Sequence, residues 1–107
     1  MPPPMSPYVA RLRSAVGASR LLLPSATAII FDDENRILLV RQREGNVWTT
    51  PGGAIEPDEA PADAVVRETW EETRLFVRPT RLLGVFGGAQ FVVRYQNGDE
   101  SDRKSVV

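Results

Sequence analysis

The chain has 107 residues, 42% of them hydrophobic and 25% charged, with a formal net charge of −1, which suits one small domain with a modest core. This balance argues against broad electrostatic binding of nucleic acid, and no apolar run reaches the roughly 18 residues of a membrane span. Cysteine and histidine are both absent, which excludes disulfides, thiolate metal sites and the commonest general base and leaves carboxylates and water to move protons.

Met1-Pro2-Pro3-Pro4 has neither the basic nor the apolar region of a signal peptide, so a frayed tail and a cytoplasmic location are expected. Ser6-Pro7 supplies an N-cap and a first-turn proline for a short helix through about Val16, with Gly17 as its stop. Tyr8, Leu12 and Val16 offer it a packing stripe, and Arg11, Arg13 and Arg20 make this end basic. Residues 1–20 are read as this tail and helix, and 21–107 as the main domain. Leu21 to Phe31 and Arg36 to Gln42 read as strands around the polar turn Asp32-Asp33-Glu34-Asn35. Val47 to Thr50 is a third extended stretch leading into Pro51-Gly52-Gly53.

A helix then starts at Pro61, although Ala60 is a poor N-cap. Arg81 to Phe86 and Gln90 to Tyr95 read as strands separated by Gly87-Gly88, and Asn97-Gly98 is a hairpin signal. Ser101 to Lys104 does not read as a central strand. Strands, one helix, then strands again predict an α+β fold with a mixed sheet, not a doubly wound one.

Glu68, Glu71 and Glu72 carry the chemistry. At 100° per residue, with Glu68 at zero, Glu71 lies near 300° and Glu72 near 40°, so the three share an arc of roughly 100°. Ala62, Val65, Val66, Thr69 and Thr73 fall between about 60° and 160°, a core stripe adjoining the acidic one. Like charges at this spacing repel, and a divalent cation would remove the penalty. Alone, Glu-x-x-Glu-Glu is more often a solvated helix face than a metal site.

From Gly53 to Leu75 the chain resembles the Nudix box, G-x5-E-x7-R-E-U-x-E-E-x-G-U with U a bulky apolar residue, at Gly53, Glu59, Arg67, Glu68, Glu71, Glu72 and Leu75. Thr69 replaces an aliphatic residue, its methyl still able to face the core. Arg74 replaces a glycine where a left-handed conformation costs another residue roughly 1 kcal/mol.

The resemblance implies a Nudix-type α/β/α sandwich with a mixed sheet, and cleavage of a nucleoside diphosphate linked to another moiety, using Mg2+ or Mn2+. It implies Glu71 and Glu72 as principal metal ligands with the Gly52 carbonyl oxygen, and Glu68 as a further ligand or the base. Arg67 and Glu59 would hold each other and orient the loop at Gly53 against the helix. Gly52 and Gly53 would let the backbone approach the metal without a Cβ in the way.

Substrate contacts are less sharply marked. Arg41 and Arg43 are read either as phosphate contacts or as exposed strand residues, and Trp48 as a base-stacking or a packing residue. Gly84 to Ala89 is a ligand-facing loop or a bend. Nudix domains are usually longer after the box, so the chain is expected to lack their C-terminal strands and helix. Its open sheet edge would favour a homodimer. The alternative reading is a truncated or catalytically weak Nudix-like module that binds a nucleotide or a partner.

Overall fold

The computed structural model describes residues 6–42, 45–94 and 100–107. Arg43, the Asn97-Gly98 hairpin signal and the proline tail lie outside them.

Helix α1 spans Pro7–Val16 as its caps dictate. The Ser6 hydroxyl accepts the Val9 N–H at 3.2 Å, and Gly17 closes the helix at φ 66°, its N–H donating to the Arg13 carbonyl. The stripe of Tyr8, Leu12 and Val16 is only partly covered: Tyr8 and Leu12 are half-buried, Val16 is exposed, and no residue of α1 is fully buried.

Strand β1 (Leu21–Thr27) is followed by an extended turn that forms only one isolated bridge, Phe31 to Ile37. Asp32 organises this turn, its carboxylate accepting the N–H groups of Glu34 at 2.8 Å and Arg36 at 2.9 Å, and Asn35 takes φ 61°. The expected strand from Arg36 to Gln42 is shortened to β2 (Val40–Arg41), paired antiparallel with β3 (Trp48–Thr49). Strand β4 (Gly52–Ala54) leads to helix α2 (Pro61–Thr73), and β5 (Val85–Phe86), a 3-10 turn at Ala89–Phe91, β6 (Val92–Arg94) and β7 (Glu100–Val106) complete the order.

The larger sheet runs β4-β1-β7-β5, with β6 also on β7. Among the described strands of this sheet only β1 and β7 are parallel. The sheet is mixed and the fold α+β, as expected. A further expectation fails: the polar segment Glu100–Val106 is a central strand, in register with β1 from Leu21↔Ser101 to Ala26↔Val106. Its pairing on both sides rests on backbone groups that every residue carries, so composition did not mark it.

Helix α2 packs on β4 and β1. Leu23, Ser25, Ala26, Ala28, Pro51, Ala64 and Thr69 are buried, and because side chains alternate along β1, Leu23 and Ala26 point to opposite faces of the sheet. The core is small, and large apolar side chains remain open to solvent, among them Leu22 at 64% and Phe76 at 82% exposure. Ala62, assigned to the core stripe from the sequence, is exposed in the first turn of α2, whereas Ala64 is buried. No helix among the described residues is long and apolar enough to cross a membrane.

Thr69 carries a specific cost. It is fully buried, and its hydroxyl is without a hydrogen-bond partner; such a group costs about 1–3 kcal/mol in lost hydration. Thr69→Val, of the same shape, is expected to raise the unfolding free energy by about 1 kcal/mol in urea denaturation. An equal or lower stability would mean that the hydroxyl is satisfied.

Candidate active site

Arg67 gathers the site. Its Nε and Nη2 donate to the two carboxylate oxygens of Glu59 at 2.7 and 2.9 Å, a bidentate fork. Nη2 also donates to the Ala54 carbonyl at 3.0 Å, and Nη1 to Glu68 Oε1 at 2.9 Å. Glu59 in turn accepts the Glu56 N–H at 3.0 Å. One guanidinium therefore ties α2 to the end of β4 and to the turn between them. The hydrogen bonds from Arg67 hold the Glu59 carboxyl below its ordinary range despite the desolvation that opposes it, and Glu59 makes Arg67 still harder to deprotonate.

Glu68 stands deeper than a surface charge run allows. Only 16% of its side chain is exposed, and it falls on the helix between the buried Ala64 and Thr69. The acidic arc and the packing arc thus overlap at Glu68 rather than adjoin. Room for it comes from Gly53: a Cβ there would lie 2.6 Å from the Glu68 carboxylate. Burial raises the Glu68 pKa, and Arg67 pulls it back.

Gly52 is required by a different neighbour. A Cβ on it would lie 2.4 Å from the Ala26 carbonyl oxygen, so β1 leaves space for hydrogen only. Both glycines hold close approach within the protein, and neither is among the positive-φ glycines. Gly52 is in register with Thr27, flanked by the bond from Ala28 N–H to the Pro51 carbonyl at 2.9 Å. That places it at a non-hydrogen-bonded pair, where N–H and C=O both turn away from β1. As β4 ends the strand order, these groups face the open edge of the sheet.

Glu72 meets that edge. Its carboxyl is pushed up to about 7, first by desolvation and then by the negative charge of Glu68, while the Gly52 N–H pulls the other way. Glu68 and Glu72 are thus brought together beside Gly52. Glu71 turns aside: it reaches Arg67 Nη1 at 3.5 Å, though like Glu72 it is exposed to solvent. Among the described residues no three acidic side chains converge closely enough to enclose a cation. The donor set still fits a hard divalent ion, because two carboxyls that resist joint ionisation stand at a backbone edge able to present a carbonyl oxygen.

Arg41 and Trp48 are directly opposed on the β2–β3 hairpin, and both are exposed. Residues that had no signal in the sequence also enter the site. The Ala54 carbonyl and the Glu56 N–H are backbone groups, visible only once the chain is folded. At the helix end Arg74 takes the left-handed conformation expected of the missing glycine, at φ 63°, and lies 5.7 Å over the Trp70 ring.

The NUDIX domain family model matches residues 21–107, and the chain belongs to that family. A MutT-like protein of Streptomyces ambofaciens is 37% identical over 62 residues, which cover 58% of this chain and 40% of that protein. Human diphosphoinositol polyphosphate phosphohydrolase 2 is 43% identical over 56 residues, 51% of this chain and 31% of that protein. The crystal structure of a UDP-X diphosphatase superposes with a TM-score of 0.63 at 28% identity, covering 96% of this chain and 49% of the other. The chain matches less than half the length of each of these relatives.

The two glycines are expected to differ on substitution. Gly52→Ala drives a methyl into β1 backbone and is expected to cost about 3 kcal/mol, whereas Gly53→Ala meets a carboxylate that can swing away and is expected to cost about 1 kcal/mol. Chemical denaturation of both variants measures the difference, and equal losses would contradict these contacts.

Proposed function

We propose that the chain hydrolyses the pyrophosphate bond of a nucleoside diphosphate linked to a second moiety, with Mg2+ or Mn2+ held by Glu68, Glu71, Glu72 and the Gly52 carbonyl oxygen. The observation that carries this reading is the Glu68–Glu72 pair set against the open edge at Gly52. The names of the relatives support the reaction class, since a phosphohydrolase and a diphosphatase both act on phosphorus anhydrides or esters.

A divalent cation bound there would neutralise phosphate oxygens and make a bound water more acidic. The protein's own contribution is placement. Arg67 fixes Glu68 against Gly53 and so sets the direction from which a carboxylate faces the substrate. Glu68 serves as a further ligand or as the base that takes the proton of the attacking water. Oxygen from water bonds to one phosphorus, the bridging P–O bond breaks, and the proton leaves with the departing phosphate, giving two phosphorylated products. With no histidine in the chain, proton transfer falls to carboxylates and water, and burial raises the Glu68 carboxyl above its ordinary range.

A second reading, a Nudix-like module that binds a nucleotide without turnover, is favoured by Glu71, which faces Arg67 instead of Glu72. Hydrolysis of ADP-ribose and nucleotide sugars by the purified chain, with and without Mg2+, separates the two. Glu72→Gln is expected to abolish Mg2+-dependent turnover, by at least about a hundredfold, and to leave the fold intact because the amide resembles the protonated carboxyl. Unchanged turnover in Glu72→Gln would overturn the assignment, and absence of turnover from the folded parent chain would favour the second reading.

A further inference from the structure

The hydrolase reading leaves open what the second half of the site grips. Arg41 and Trp48 form a cross-strand pair on the β2–β3 hairpin. The bond from Gln42 N–H to the Val47 carbonyl, at 2.7 Å, makes it a non-hydrogen-bonded pair, in which the two side chains share one face at closest spacing. On the opposite face Gln42 and Thr49 bond side chain to side chain at 2.9 Å, which fixes the register. Trp48 is 58% exposed, so an indole and a guanidinium stand together in solvent.

Trp48 precedes Gly52 by four residues, so its Cα is at most roughly 14 Å from the backbone edge that faces Glu72. That is the scale on which a nucleotide separates its base from its phosphates. The other tryptophan is differently placed. Trp70 already has Arg74 over its ring and lies on the helix flank turned away from Glu68 and Glu72.

We propose that Trp48 is the stacking platform for the substrate's nucleobase and Arg41 its cationic neighbour for the adjoining phosphate, which makes this hairpin the element that distinguishes a nucleoside substrate from a base-free polyphosphate. This deepens the hydrolase reading and rests on it for the position of the diphosphate. Indole offers a flat apolar face that any base can cover, and a base on an exposed ring gains contact without displacing protein. A base-free polyphosphate would use the arginine and leave the indole idle.

Two measurements test it on the full chain. In a Trp70→Phe variant, where Trp48 is the sole tryptophan, ADP-ribose is expected to quench the fluorescence and inorganic pyrophosphate is not. In steady-state kinetics Trp48→Ala is expected to raise KM for ADP-ribose about tenfold with kcat unchanged, Trp48→Phe to recover most of the loss, and inhibition by inorganic pyrophosphate to be unaffected. Quenching without hydrolysis would uphold the stacking site and remove the hydrolase reading. Hydrolysis with no quenching, or equal losses toward ADP-ribose and pyrophosphate, would overturn the stacking site.

Discussion

The Arg67 guanidinium is the constraint on which the rest of the site depends. It reaches the helix, the Glu59 turn and the end of β4 at once, and it is what makes a largely covered Glu68 tolerable. A carboxylate taken out of water without such a partner would cost several kcal/mol or stay protonated. A lysine could not replace it, because only the planar fork meets both Glu59 oxygens while still bonding Ala54 and Glu68. The packing of α2 on β4 and the placement of the acidic cluster are therefore one problem with one solution.

Charge is distributed unevenly around that cation. Arg67 holds Glu59 low and partly compensates Glu68, but Glu72 is left to share the space with Glu68. Burial and the charge of Glu68 push the Glu72 carboxyl up to about 7, while Glu71 lies within 3.5 Å of Arg67 Nη1. The proposed cation would offset the repulsion among these carboxylates. The glycines serve the same geometry: Gly53 admits the Glu68 carboxylate and Gly52 admits β1, so an open strand edge and the acidic face meet with nothing between them.

Much of this was legible in the sequence where local rules decide. Ser6, Pro7 and Gly17 bound α1 correctly, Pro61 starts α2 despite the poor cap at Ala60, and Arg74 marks its left-handed end. The box spacing put Arg67, Glu59 and the glutamates in one region, and the structure shows the Glu59–Arg67 contact directly. What escaped depends on partners distant in sequence. Glu100–Val106 became a central strand through pairing with β1, against its polar composition. Arg36 to Gln42 keeps only the bridge from Ile37 to Phe31 and the short β2, and no local signal marks where its pairing breaks off. Helical angles alone could not show that Glu68 shares the packing face, since this needs the vacancy at Gly53 and the charge of Arg67. Thr69 faces the core as expected, yet periodicity says nothing about a partner for its hydroxyl.

The claim that Arg67 and Glu59 hold the glycine strand to the helix is tested most directly by urea denaturation of the parent chain and Glu59→Gln between pH 6 and pH 3. The Glu59 carboxyl is held below its ordinary 4.5 in the fold, so its contribution is present above that value and is lost as pH falls through the lowered folded pKa. The parent is predicted to be more stable than Glu59→Gln at pH 6, with the difference closing as the pH drops below about 4.5. Equal stabilities at pH 6, or a gap that does not narrow in acid, would contradict the claim.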